Sequence, residues 1–222
     1  MRKHLLRKVV PEGVVTAESR EDLDVELFSE ELGYVQGAVP ARRAEFATAR
    51  HLARVALRSI GASAPPIHKG LRGEPVWPPQ ISGSITHCDG FRGAAVMWAL
   101  PGRSVGIDAE PSEPLPSDIL PYVASGAERR KLQELGSRDG TFPWGRILFS
   151  AKESIFKAQY PLTSMALDFL DVQTTLSASG VFEWSSYVPG APLTQGKGRW
   201  FDDDGLIVTC TFVEIFSPTS HA

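Results

Sequence analysis

Asp108 and Glu110 stand two positions apart in the run Arg103 to Glu110 (RSVGIDAE). In an extended chain that spacing projects both carboxylates from one face, roughly 7 Å apart at the backbone. Such a pair repels itself, and a divalent cation resolves the repulsion. An all-oxygen pair suits magnesium, which takes one or two carboxylates together with phosphate oxygens and water. Alone, the same pair is more often two solvated acids on the exposed face of an edge strand. A second constellation, FSAKESIFKA from Phe149 to Ala158, sets Lys152 beside Glu153 and Lys157 one turn further on. Glu leading Lys by four residues is the favourable order for a surface ion pair. Ser150-x-x-Glu153 also fits a capping box, although Ile147 and Leu148 ahead of it suggest a helix already under way. His87 closes a hydroxyl-rich run with Ser82, Ser84 and Thr86, and a lone histidine is more often structural than a ligand. Between Arg42 and Arg58 there are five arginines and no lysine. Arg43, Arg50, Arg54 and Arg58 share a helical stripe with Arg42 at its edge, and their planar forks suit phosphate.

The elements that must position these groups follow from periodicity. Ala41 to Ile60 predicts a helix, with Phe46, Ala49, Ala53, Ala56 or Leu57 and Ile60 at three- and four-residue steps and Gly61 closing it. Pro65 to Pro79 (PPIHKGLRGEPVWPP) reads as an ordered loop anchored by Ile67, Leu71, Val76 and Trp77. Ile81 to His87 and Arg92 to Leu100 predict two strands of a hairpin, and Arg103 to Glu110 a third, half-buried strand in which Val105, Ile107 and Ala109 alternate with polar positions. The proline-rich stretch Pro111 to Pro121 breaks regular structure. Helices are expected from about Ala127 to Leu135 and from about Pro143 to Gln159, the latter stopped before Pro161. Val181 to Tyr187, Arg199 to Phe201 and Leu206 to Phe216 are rich in β-formers. Helix followed by strands in both halves predicts two α+β lobes, 1–111 and 112–222.

Composition removes several function classes. A formal net charge of -3 over 222 residues argues against nucleic acid as the main partner. No stretch approaches the roughly 18 uninterrupted apolar residues of a membrane span. The start, Met1 to Val10, is basic but lacks the apolar run of about 7–15 residues and the cleavage site of a secretory signal, so a cytoplasmic location is expected. Cys88 and Cys210 are too few and too far apart for a disulfide scaffold or a CxxC site. Charge is unevenly placed: Glu18 to Glu31 holds seven acids and one arginine, as if an acidic helix preceded the arginine helix. There is no G-x-S-x-G elbow, and Gly190 to Lys197 fails the Walker spacing.

The ordered set H-K-G at His68 to Gly70, G-E-P-V-W-P at Gly73 to Pro78, S-I-T-H-C at Ser84 to Cys88, V-G-I-D-A-E at Val105 to Glu110 and F-S-A-K-E-S-I-F-K-A at Phe149 to Ala158 resembles the 4'-phosphopantetheinyl transferases. It is most similar to the larger type serving siderophore, surfactin and other polyketide or nonribosomal peptide synthases. The resemblance spans about Arg42 to Tyr160. It implies an α+β fold of two similar lobes related by a pseudo-twofold axis, with coenzyme A in the cleft between them. It also implies transfer of the phosphopantetheine arm of coenzyme A to a serine of an apo acyl or peptidyl carrier protein, with release of adenosine 3',5'-bisphosphate. By family position Asp108, Glu110 and Glu153 would hold magnesium, with manganese as a substitute. Arg42, Arg50, Lys69 and His87 would grip phosphates, with Arg43, Arg54 and Lys152 as further contributors. Glu153 would be the base and Lys157 would stabilise charge on the transferred phosphate. Leu115, Ile119, Leu120 and Tyr122 are expected to dock carrier proteins of polyketide, nonribosomal peptide or fatty acid synthases. A monomer is expected, since one chain holds both sides of the cleft. From another class, a catalytically silent module that merely binds coenzyme A would need the arginines but not the acids.

Overall fold

The structure is a computed structural model that describes residues 4–215; Met1 to Lys3 and Phe216, the expected end of the last β-rich run, lie outside the described residues. The chain runs β1 (Val15–Ser19), α1 (Ser29–Leu32), α2 (Pro40–Ser59), a short hairpin of β2 (His68–Lys69) and β3 (Pro75–Val76), β4 (Ile81–Cys88), β5 (Phe91–Trp98) and β6 (Arg103–Pro111). It continues through α3 (Leu120–Val123), α4 (Gly126–Arg138), α5 (Trp144–Thr163), β7 (Val172–Ser177), β8 (Val181–Ser186), β9 (Gln195–Asp203) and β10 (Leu206–Glu214). One antiparallel sheet has the order β1-β5-β4, the other β6-β10-β9-β8-β7. This is the expected α+β arrangement, with one 20-residue helix laid on each sheet: α2 on β1 and β5, α5 on β6 and β10.

Each helix buries the stripe its sequence dictates. On α2, Leu52, Ala53, Ala56 and Leu57 close over Ile67, Ala94 and Val96. Ile147, Leu148, Ala151 and Ile155 of α5 meet Phe182, Trp184 and Trp200. Burying each large aliphatic side chain fully is worth about 1.5–3 kcal/mol. Between the sheets a third core joins Val105, Ile107 and Ala109 to Leu6, Phe91 and Val208.

Several expectations change. Strand β6 is buried on both faces from Ser104 to Ala109, because α5 covers the side that alternation alone would leave to solvent. Its hydrogen-bonded partner is β10, with Asp108 opposite Thr209, so the sheet boundary falls between β5 and β6 rather than after Pro111. Helix α5 runs through Pro161 to Thr163 and ends at Ser164, whose φ is 54° and whose N–H reaches the Tyr160 carbonyl at 2.8 Å. A proline this near the end sacrifices little of the helical ladder. The acidic stretch is no helix: after β1 it runs without helix or strand to Phe28, and only Ser29–Leu32 is helical.

Two local features fix β6, one packing α5 onto it within the second half and the other joining it to the first. A Cβ at Gly106 would lie 2.1 Å from the Ser154 carbonyl oxygen and 2.4 Å from the Ala158 nitrogen, so only glycine lets the α5 backbone approach β6 this closely. On the other edge of β6 the neighbour is β4, joined not by a backbone ladder but by side chains. The hydroxyls of Ser82, Ser84 and Thr86 accept from the N–H groups of Val105 (3.4 Å), Ile107 (3.0 Å) and Ala109 (2.9 Å). Hydroxyls at every second position match the two-residue period of the facing strand.

Candidate active site

The glycine contact and the hydroxyl seam set Asp108 at the meeting line of the halves, with 4% of its surface exposed. Its Oδ1 accepts from Lys157 Nζ at 2.6 Å and from Thr86 Oγ1 at 3.2 Å, and its Oδ2 from Ser150 Oγ at 2.8 Å. Glu110, on the same face of β6, pairs with Arg146 at 2.9 Å. Glu153 takes no hydrogen bond or ion pair from any described residue. Burial raises its carboxyl, Lys157 opposes, and Asp108 adds to the rise. Glu110 is likewise raised by burial and then by Asp108, against Arg146 and Lys157. Burial works against the Lys157 ammonium, but the pull of Asp108, Glu153 and Glu110 outweighs it and its pKa rises. Three carboxylates therefore act on one cation. The intrahelical Glu153–Lys157 ion pair gives way to a Lys157–Asp108 pair between α5 and β6.

Beside this cluster, between the 70–79 loop, β4 and α5, lies a cavity of about 200 Å³ lined by Arg72, Trp77, Ser84, Glu153, Phe156 and Tyr160. A second hollow of about 240 Å³ adjoins it through Arg72, Glu153 and Phe156. A depression of about 480 Å³ over Gln173, Glu183 and Lys197 contains none of these acids.

A positive tract leads toward the cluster from α2. The Arg50 guanidinium lies 4.4 Å from the Phe46 ring centre and its Nε donates to the Ile67 carbonyl; burial, then the neighbouring Arg54 and Arg42 against the pull of Glu31, bring its pKa down to about 10. Lys69 caps the same ring at 4.9 Å, with its pKa lowered by burial and then by Arg50 and Arg42. His87 joins this group to the acid cluster. Its Nδ1 faces Glu45 at 2.9 Å and its Nε2 faces Arg42 at 3.1 Å; burial lowers its pKa against Glu45, and Arg42 and Lys157 lower it further. Glu45 also pairs with Arg42, whereas Arg50 and Lys69 have no carboxylate partner among the described residues, and that local shortage of anions is the electrostatic condition of a site for phosphates.

The structure does not bring every expected residue here. Arg54 is 3% exposed and pairs at 2.7 Å with the wholly buried Glu31, which also accepts from the N–H groups of Ile67 and Phe28. Lys152 is spent in the same manner: its ammonium reaches Glu128 (2.8 Å) and the carbonyls of Val123 (2.9 Å) and Phe169 (2.7 Å). Arg43 is exposed in the first turn of α2, lining a groove with Leu23, Asp24 and Pro40. Nor do Asp108, Glu110 and Glu153 form a ready-made cage: among the described residues no three acidic, histidine or cysteine side chains stand together to hold a metal. The pair Asp108 and Glu110, in which the Asp108 charge raises the cost of ionising Glu110, fits a cation that needs one or two carboxylates besides phosphate oxygens.

Residues that sequence reasoning missed are Arg146, Ser150 and Thr86. Arg146, Ser150, Glu153 and Lys157 follow one another at steps of four, three and four, a single α5 stripe aimed at β6, and that periodicity was available in the sequence. Ser150 lies mid-helix and opens no capping box.

Residues 30–97 match the family profile described as the 4'-phosphopantetheinyl transferase N-terminal domain, and residues 104–203 that of the 4'-phosphopantetheinyl transferase superfamily. The chain is 46% identical over 194 residues to the 4'-phosphopantetheinyl transferase Svp of Streptomyces mobaraensis, covering 84% of this chain and 78% of that protein. It is 38% identical over 220 residues to the 4'-phosphopantetheinyl transferase Npt of Nocardia iowensis, covering 92% and 98%. To enterobactin synthase component D of Shigella flexneri it is 34% identical over 142 residues, covering 63% and 64%. These relatives do not favour a silent binding module. No described helix is long and apolar enough to cross a membrane. The matches to the two family profiles and to these enzymes show that the chain belongs to the 4'-phosphopantetheinyl transferase superfamily, as an enzyme that transfers phosphopantetheine to carrier proteins.

Proposed function

We propose that coenzyme A is the donor, that Asp108 and Glu110 hold a divalent cation against its pyrophosphate, and that Glu153 is the base. The observation that carries this reading is the convergence of Asp108, Glu110 and Glu153 on the Lys157 ammonium, 2.6 Å from Asp108. Lys69, Arg50, Arg42 and His87 receive the nucleotide phosphates along the positive tract. The carrier serine oxygen bonds to the β-phosphorus as its proton passes to Glu153. The bond from that phosphorus to the bridging oxygen breaks, and its electron pair leaves on adenosine 3',5'-bisphosphate. Burial makes Glu153 a stronger base than an exposed glutamate, and Lys157 offsets the charge growing on the transferred phosphate. A bound cation, magnesium or in its place manganese, would supply further charge neutralisation. With Glu153 left out of the coordination set, one carboxylate need not be both ligand and base.

The acceptors are carrier domains of polyketide, nonribosomal peptide or fatty acid synthases, and the likeness to an enterobactin synthase component supports siderophore synthases among them. Both sides of the cleft lie in one chain, which supports a monomer, and its two proposed substrates support a cytoplasmic location. Of the expected docking residues, Ile119 (39% exposed) and Tyr122 (75% exposed) are available, whereas Leu120 packs on the α5 core and, with Leu115, borders Gly145. Tyr122→Asp should raise the carrier KM several-fold and leave kcat unchanged; an unchanged KM removes α3 from the docking surface.

The decisive experiment is intact-mass analysis of an apo carrier protein incubated with enzyme, coenzyme A and magnesium, with an EDTA arm and an Asp108→Ala arm. One phosphopantetheine gained per carrier, lost in both arms, is the expected result. Full transfer by Asp108→Ala would overturn the metal assignment.

A further inference from the structure

Asp108 is held by more than its salt bridge. Ser150, Thr209 and Thr86 are respectively 0%, 0% and 1% exposed, and all three belong to one hydroxyl network around its carboxylate. Thr209 is the residue opposite Asp108 in the β6–β10 ladder. Its Oγ1 donates to the Ser150 carbonyl at 2.9 Å and lies 3.0 Å from Ser150 Oγ. A hydroxyl has one proton to give. With the Thr209 proton engaged on α5, the Ser150 proton is left for Asp108 Oδ2, the stronger, charged acceptor at 2.8 Å. On the opposite side Thr86 Oγ1 accepts from the Ala109 N–H and gives its proton to Oδ1.

The bookkeeping of acceptor positions gives the arrangement a purpose. A carboxylate offers about four lone-pair positions. Lys157, Thr86 and Ser150 use three of those on Asp108, leaving one. A group so held cannot turn, and its remaining position has one direction.

The same helix provides its own comparison. Ser154, one turn after Ser150, meets Thr211 at 2.8 Å just as Ser150 meets Thr209, because four helical residues and two strand residues advance by similar distances. Opposite Thr211, however, stands Gly106 rather than an acid, and the Ser154 hydroxyl turns back to the Ala151 carbonyl at 2.7 Å. One rung ties α5 to β10; the other does that and also grips Asp108.

We infer that Ser150, backed by Thr209 and opposed by Thr86, is a positioning residue that fixes the Asp108 carboxylate in the orientation that holds the divalent cation. This rests on the reading of Asp108 as a metal ligand. Outer-shell partners of ligating carboxylates typically govern metal affinity or activity by about 10–100-fold.

The test is an electron paramagnetic resonance titration of Mn2+ with coenzyme A present, on the wild type, Asp108→Ala, Ser150→Ala and Ser154→Ala, with melting temperatures and steady-state kinetics beside it. Ser150→Ala should raise the Mn2+ Kd roughly tenfold or more and lower kcat with the carrier KM unchanged. Ser154→Ala should lower the melting temperature comparably and leave the Mn2+ Kd at the wild-type value. If Asp108→Ala loses Mn2+ while Ser150→Ala binds it like wild type, the positioning role is overturned and the metal assignment stands. If Asp108→Ala itself retains Mn2+, both fall. Should Ser150→Ala fail to fold, Thr86→Val against Thr86→Ser decides: loss in the former and recovery in the latter support the inference, and equal Mn2+ affinity in the two overturns it.

Discussion

The two halves solve one packing problem in the same way and then diverge. Near the start of each, a buried glutamate accepts the backbone N–H three residues before it: Glu31 from Phe28, Glu128 from Ser125. Each also accepts an N–H from the chain that follows the long helix, Ile67 in the first half and Thr174 in the second. Each is neutralised by a buried cation from that helix, Arg54 of α2 or Lys152 of α5. Aligned on these cations, Glu153 corresponds to Val55 and Lys157 to Ser59, whose hydroxyl merely returns to the Val55 carbonyl at 2.9 Å. The knot is architecture common to both halves, whereas the residues proposed for the acid and base chemistry belong to one helix. The first lysine of the K-E-x-x-x-K sequence is therefore a structural residue beside the two proposed to be reactive.

That division can be broken at several points. The largest effect should come from the α5 stripe: Glu153→Gln should lower kcat by about 10²–10⁴ and Lys157→Met by about 10²–10³, in single-turnover assays with carrier and coenzyme A saturating. The aligned change Val55→Ala should leave kcat untouched. Next, Lys152→Met and Arg54→Met should each cost about 3–5 kcal/mol in urea unfolding, because each strands a buried carboxylate. Their kcat, measured well below the melting temperature, should stay within a few-fold of wild type, and a loss as large as that of Glu153→Gln would return Lys152 to the chemistry. The smallest effect is a displaced pH limb. Glu153 must be ionised to take a proton, and burial lifts its pKa from the ordinary 4.5, so kcat should fall as pH drops through a pKa above that value. Glu153→Gln should lose this limb, and a limb at the ordinary glutamate position would contradict burial as the source of basicity.

What could be read from the sequence follows this same line. The two long helices showed in their apolar steps, and strands β4, β5 and β6 in their alternation and turn residues. The acids of β6 and the α5 pair showed by type and spacing. Hidden were features made by distant partners. Lys152 resembles a ligand until Glu128, Val123 and Phe169 fold around it, and Arg54 resembles a phosphate fork until Glu31 arrives. Strand β6 carries the pattern of a half-buried strand because nothing local to it announces that α5 will cover its polar face. Strand β7 was missed although Val172, Thr174 and Leu176 do alternate inward, a signal weakened by the polar residues between them. Gly106 gave no hint of its role, since what it requires is space and the helix that needs the space lies some fifty positions on.

The serine and threonine contacts between β4 and β6 have an evolutionary consequence. Main-chain ladders are blind to sequence: almost any residue can occupy a rung. Here Ser82, Ser84 and Thr86 supply the rungs, so the alignment of the two halves is written in codons and can be edited one oxygen at a time. Ser82→Ala would slacken the end far from Asp108, and Thr86→Val the end beside it. Descendants of this fold can therefore adjust how the arginine-bearing half meets the acid-bearing half without altering a proposed ligand, a proposed base or the core of either.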